Sequence, residues 1–155
     1  MSRPRPSFAL PPEAHVPGLN RRPDARIFAA AKAGLSAELS SAALARSAAF
    51  RGGLEAYSRG YYWEAHELFE AVWRCLPPAG AERHLLRGLI QLANAGLKAR
   101  MGRAAAVRRI RALAEASLAE AFLRGQASLM GLSRADVGRM RSHIEAERAA
   151  QDNAI

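Results

Sequence analysis

His66, Glu67 and Glu70 stand at positions i, i+1 and i+4 of the run Gly60-Tyr-Tyr-Trp-Glu-Ala-His-Glu-Leu-Phe-Glu-Ala-Val-Trp-Arg74. An imidazole beside two carboxylates can move protons, and the same atom types can ligate a metal ion. On an α-helix, at about 100° per residue, Trp63, His66, Glu67, Glu70 and Trp73 fall within roughly one third of the circumference. Ala65, Leu68, Phe69 and Val72 fall on the other side. An ordinary surface helix keeps its large aromatics off the polar face, yet here that face holds both tryptophans of the chain. His66, Glu67 and Glu70 are therefore the candidate catalytic residues, with Tyr62, Trp63, Glu64 and Trp73 as candidate ligand-binding neighbours.

A second polar stripe follows. Arg87, Gln91, Asn94 and Lys98 recur at spacings of four, three and four, opposite Leu85, Leu89, Leu92 and Gly96. If the two helices form an antiparallel hairpin across Pro77-Pro78, this stripe can face the acidic one and add Gln91 and Lys98 to the ligand-binding set. Three readings then compete. In the first, the cluster is a buried structural network in which Glu67 or Glu70 pairs with Lys98 or Arg87 and fixes helix register without chemistry. In the second, carboxylates and histidine shielded by indoles form a pocket for a small ligand, with hydrolase-like proton transfer.

The third reading, a metal site, is weaker from sequence. His-Glu-x-x-Glu is not His-Glu-x-x-His, and neither His84 nor His143 completes the Glu-x-x-His pair of a di-iron bundle. No fourth donor is evident, so no metal ligand is assigned and no cofactor is expected, although these donors would suit Zn, Fe or Mn. Whether the chain is an enzyme stays open at this point. The alternative from another class is a non-enzymatic helical adaptor.

The elements that must position these residues are helical. The 155 residues are half hydrophobic, only 6% aromatic, and rich in the strong helix formers Ala, Leu, Arg and Glu. An all-α compact bundle of about five to six helices is expected, over residues 24–150, preceded by an extended Pro-rich N-terminal arm over 1–23. That arm holds six of the eight prolines, and Phe8, Leu10, Val16 and Leu19 give it apolar surface with which to dock. Pro23-Asp24 opens a first helix to about Gly34, and Ser40 or Ser41 caps a second to about 59. The Trp/His/Glu helix spans about 61–76, a fourth about 81–101 and a fifth about 103–123. After a loop from Gly125 to Leu132, Ser133 and Asp136 resemble a capping box for a last helix to about 149. Gly52-Gly53 inside the second helix, and Gly88 and Gly96 in the fourth, mark close approach by a neighbouring helix or the arm.

Taken with Gly88-Leu-Ile-Gln91, the motif Gly60-x-Tyr62-Trp63-Glu64-x-His66-Glu67-x-x-Glu70-x-x-Trp73 is similar to that of the bacterial domain-of-unknown-function family 309. The arm segment Leu10-Pro-Pro-Glu-Ala-His-Val-Pro-Gly18 resembles that of a proteobacterial branch of the family. The resemblance covers the arm and roughly residues 50–115. It implies an all-helical bundle with the polar motif residues together, and it brings no established activity, substrate or cofactor. Many relatives carry His where Lys98 stands, so position 98 is not read as a metal ligand here.

Composition constrains the partners. The net charge of +9 is almost all arginine, Lys32 and Lys98 being the only lysines. Single-strand recognition usually adds exposed aromatics for stacking, and the basic stretch Arg100, Arg103, Arg108, Arg109 and Arg111 has none, so nucleic acid is disfavoured. No stretch approaches the roughly 18 apolar residues that span a bilayer. One cysteine, Cys75, excludes an internal disulfide and fits a reducing compartment, so a cytoplasmic location is expected. An unidentified small ligand or protein, and self-association, complete the partner expectations.

Overall fold

The computed structural model describes residues 10–153. A 3₁₀ turn (Ala25–Phe28) leads into the short helix α1 (Ala29–Lys32), followed by α2 (Ser41–Ala45), α3 (Ala48–Ser58), α4 (Tyr62–Trp73), α5 (Ala81–Arg100) and α6 (Ala104–Ala121). A two-stranded ribbon, β1 (Ser128–Leu129) and β2 (Leu132–Ser133), precedes α7 (Arg134–Asn153). The architecture is the expected all-α bundle.

The start signals act as read. Asp24 accepts from the Arg26 amide at 2.9 Å, and the Ser40 hydroxyl accepts from the Ala43 amide at 3.1 Å. Ser133 and Asp136 form the reciprocal box, at 3.1 Å and 2.8 Å. Two elements differ from expectation. The helix expected over 41–59 is broken, because Ser47 leaves the helical region and caps α3 by accepting from the Phe50 amide at 3.2 Å. The loop after Gly125 contains the ribbon, whose two-residue turn, Met130-Gly131, has positive φ at both positions. That is the type I′ geometry whose twist matches antiparallel strands.

Helix α5 is the central rod and touches α4, α6 and α7. Its inward residues Leu85, Leu86, Leu89 and Leu92 are buried against a core that includes Phe50, Leu68, Phe69 and Val72. Fully burying side chains of this kind contributes about 1.5–3 kcal/mol each. Small residues set the spacing: a Cβ on Gly53 would lie 2.6 Å from the Phe69 ring, on Gly88 2.5 Å from Leu118, and on Gly96 2.5 Å from Tyr62. Gly53 thus meets helix α4 rather than the arm. Contacts of Tyr62 with Gly96 and of Trp73 with Arg83 run α4 and α5 antiparallel.

The described part of the arm has no helix or strand before Ala25. It is held to α4 by Tyr61, whose hydroxyl donates to the Pro11 carbonyl at 2.8 Å, and by buried Val16. Leu19, expected to dock, is 74% exposed, because the turn at Gly18 carries it outward. Phe8 lies outside the described residues.

Candidate functional site

Helix α4 presents the predicted triad on one half-exposed face. The side chains of His66, Glu67 and Glu70 are 25%, 27% and 31% exposed. His66 Nδ1 lies 3.6 Å from Glu67 Oε1, and Nε2 lies 3.5 Å from Glu70 Oε2. Both spacings exceed ordinary hydrogen-bond lengths, so the imidazole sits between two acids without bonding to either. Glu70 turns its other oxygen, Oε1, to the Arg74 guanidinium one helical turn on. One donor atom from each of the three residues can be chosen so that all lie within 4.8 Å of one another. Among the described residues this is the only group of three or more His, Cys, Asp or Glu side chains with that convergence.

The α5 stripe does not close on this face. Gly96 is the position that meets Tyr62 of α4, and at about 100° per residue Arg87, Gln91, Asn94 and Lys98 lie about half a turn away from it. Arg87 is exposed. The Asn94 amide donates to Gln91 Oε1 at 3.5 Å. Among the described residues Lys98 has no carboxylate partner, and the guanidinium on Glu70 comes from α4 itself. The expected cluster of both stripes is therefore corrected: the hairpin forms, but Gln91 and Lys98 occupy a different face.

The segment carrying the triad also matches a family model. Residues 50–110 match the family model described as Domain of unknown function (DUF309). That stretch belongs to DUF309. No curated protein and no solved structure matches the chain.

Within the DUF309 segment, three further predicted residues are used elsewhere. Glu64 precedes His66 by two positions, about 200° around the helix, and its side chain is wholly buried under the arm. Its Oε2 accepts the His15 backbone amide at 3.0 Å, while Oε1 has no hydrogen-bond partner among the described residues. Burial pushes the Glu64 carboxyl up from its ordinary pKa, and the His15 amide offsets part of that rise. Trp63 packs against the arm as well: the His15 ring meets it edge-on at 5.1 Å, Phe28 lies at 5.9 Å and the Arg22 guanidinium at 5.3 Å. Asn20 holds the arm turn by accepting from the Val16 amide at 3.0 Å and donating to the Ala14 carbonyl at 2.8 Å. With that amide so oriented, its Oδ1 receives the proton of His15 Nδ1 at 3.1 Å.

Tyr62 points to the opposite side. Its hydroxyl donates to Glu147 Oε1 of α7 at 3.0 Å, and Arg100 pairs with the same carboxylate at 3.2 Å. Burial and then the Glu147 charge hold the Tyr62 phenol far above its ordinary pKa. Trp73 stays beside the triad face, with the Arg83 guanidinium 4.1 Å from its ring centre and its indole N–H buried without an acceptor among the described residues. Cys75 is half-buried, its thiol pushed upward by burial, which disfavours the nucleophilic thiolate.

His15, Asn20, Arg100 and Glu147 are participants the sequence did not single out. His15 and Asn20 sit in a stretch without helical period, and Arg100 and Glu147 resemble solvated charges on long helices. Only the motif Tyr62 and Glu64 hinted that those surroundings held partners.

Proposed function

We propose that the chain is a small-ligand-binding, hydrolase-like helical-bundle protein whose working surface is the outward face of α4. The observation that carries the reading is the His66 imidazole held between Glu67 and Glu70 on a part-exposed face, without a hydrogen bond to either and, among the described residues, without a cation from another helix. A charge network that serves the fold alone is normally mutually bonded, as Tyr62, Arg100 and Glu147 are. In this arrangement His66 would take a proton from a bound water or hydroxyl while an adjacent carboxylate supports the resulting positive charge. Trp73, stiffened by Arg83, forms one edge of the surface.

The test is ligand-induced perturbation of the His66 ring and Trp73 indole signals by NMR, across a panel of small esters, amides and phosphate monoesters. Hydrolysis of any ligand that binds is then compared between wild type and His66→Ala. Perturbation at these signals, lost in His66→Ala, supports the reading. Perturbation confined to other surfaces overturns it.

The adaptor reading draws on a different place. A groove of about 360 Å³ between α6 and α7 is lined by Leu118, Phe122, Leu123 and Val137 and edged by Arg134 and Arg141. Leu123 is 71% exposed there. Binding of a protein at that groove, with the α4 face silent, would favour the adaptor.

A further inference from the structure

We infer that the cleft between α6 and α7 is a docking site for an acidic amphipathic helix of a partner protein. The inference builds on the groove described above, not on the α4 face, and names what occupies it.

The groove is one end of a longer cleft. Its cavity of about 360 Å³ and a second of about 330 Å³ share Glu115 and Arg141. Together they run from Leu123 to Arg111 along α6 and from Arg134 to Glu145 along α7, just over three helical turns, or about 18 Å. Two ion pairs cross the cleft, Arg141 with Glu115 at 2.7 Å and Arg111 with Glu145. Buried Leu118, Phe122 and Val137 form an apolar floor at the ribbon end, and Leu123 is exposed at its lip. A trough of this length between two helices suits a third helix that sets apolar residues one turn apart into the floor.

Gly138 and Arg134 point to the occupant. Gly53, Gly88 and Gly96 each make room for a side chain of a neighbouring helix, which an added Cβ would approach to 2.5–2.6 Å. A Cβ on Gly138, in the polar half of the cleft, would meet nothing closer than Arg141 Nη2 at 3.7 Å. Glycine inside a helix is costly relative to alanine, and no described residue uses the space that Gly138 leaves. A helix laid across α7 would use it, because glycine lets two backbones approach closely. Arg134 gives the sign of the partner's charge. Its guanidinium donates to the Phe122 carbonyl at 2.7 Å and lies 5.7 Å from the Phe122 ring centre, so it is held in place at the apolar end. Among the described residues it has no carboxylate partner, and neither does exposed Arg124 beside Leu123. A net charge of +9 opposes a second copy of this chain in the cleft and favours an acidic partner.

The experiment is fluorescence anisotropy with the full-length protein and a labelled synthetic helix of about 18 residues, carrying Leu at i, i+4, i+7 and i+11 and Glu on the opposite face. A scrambled peptide of identical composition, its Leu residues spread around the helix, reports attraction by net charge alone. Wild type is expected to bind the amphipathic peptide at least tenfold tighter than the scrambled one. Gly138→Leu fills the cleft and is expected to weaken that binding at least tenfold. The same change should raise the melting temperature, since leucine favours the helix and meets open space there. Arg134→Gln is expected to weaken binding several-fold, and His66→Ala to leave it intact. Equal binding of the two peptides, or binding unchanged by Gly138→Leu or by Arg134→Gln, overturns the inference. So does binding lost in His66→Ala, which moves the peptide to the α4 face, and so does a wild-type dimer that Gly138→Leu renders monomeric, which gives the cleft to a second copy. Failure with the first two peptides leaves the α4 reading to its own NMR test.

Discussion

His66→Ala separates a working face from a structural one. The substitution removes two contacts, at 3.5 and 3.6 Å, between side chains that are a quarter to a third exposed. Pairs on one helix face contribute about 0.2–0.5 kcal/mol each, and exposed ion pairs have a median of about 0–1 kcal/mol. The loss is therefore at most about 1 kcal/mol, and roughly half of that is returned by the higher helix propensity of alanine. For a chain of this size the net change of about 0.5 kcal/mol shifts Tm by about 1–2 °C. Tyr62→Phe supplies the contrast. It deletes a donor to the Glu147 carboxylate within a partly buried network, and hydrogen bonds to charged groups contribute about 1.5–3 kcal/mol. That corresponds to about 3–12 °C. Calorimetric melting of wild type and both variants, at one pH and ionic strength, provides the comparison. A His66→Ala loss as large as that of Tyr62→Phe would refute the assignment of His66 to a ligand face and restore the structural network.

Gly53→Ala places a Cβ 2.6 Å from the Phe69 ring, an overpacking cost of about 1–3 kcal/mol that outweighs the roughly 1 kcal/mol gained in helix propensity; urea denaturation should show a lower midpoint. Glu64→Gln should change the pH dependence of stability. Because burial raises the folded-state pKa of Glu64, the folded protein holds that proton more tightly than the unfolded chain. The contribution is fully present below the unfolded pKa and is lost as pH rises through the folded one. Stability of the Gln variant relative to wild type should therefore increase from acid toward neutral pH in paired urea titrations, and a flat difference would contradict this. Ser133→Ala removes the cap of α7 and should cost about 0.5–2 kcal/mol, read by thermal denaturation monitored at 222 nm.

The triad was legible because its geometry is local: a helical period alone puts His66, Glu67 and Glu70 together, and no knowledge of the neighbouring helices is needed. The hairpin of α4 and α5 was legible from Pro77-Pro78, and the packing role of Gly53, Gly88 and Gly96 from the cost of glycine within helices. What failed depended on how helices rotate about their axes. Arg87, Gln91, Asn94 and Lys98 make a convincing stripe, but periodicity does not say which neighbour a stripe faces, and Gly96 turned the leucine side to α4 instead. Glu64 was misplaced by neighbourhood in the motif, since two residues along a helix is more than half a turn around it. Ser47 was overlooked because Ser within a long Ala-rich run also suits a continuous helix. Met130-Gly131 lacks the Asn-Gly signature that marks a two-residue hairpin turn.

All three members of the triad belong to less than one and a half turns of a single helix, so their mutual spacing comes from helical pitch and not from how the bundle is assembled. Drift of α6 or α7 through random substitution, or a small slip between layers, would move the trio as one rigid badge without altering its internal distances. Such a feature is portable: three residues written at the same intervals on the outer side of another stable helix should reproduce the same ionic geometry there.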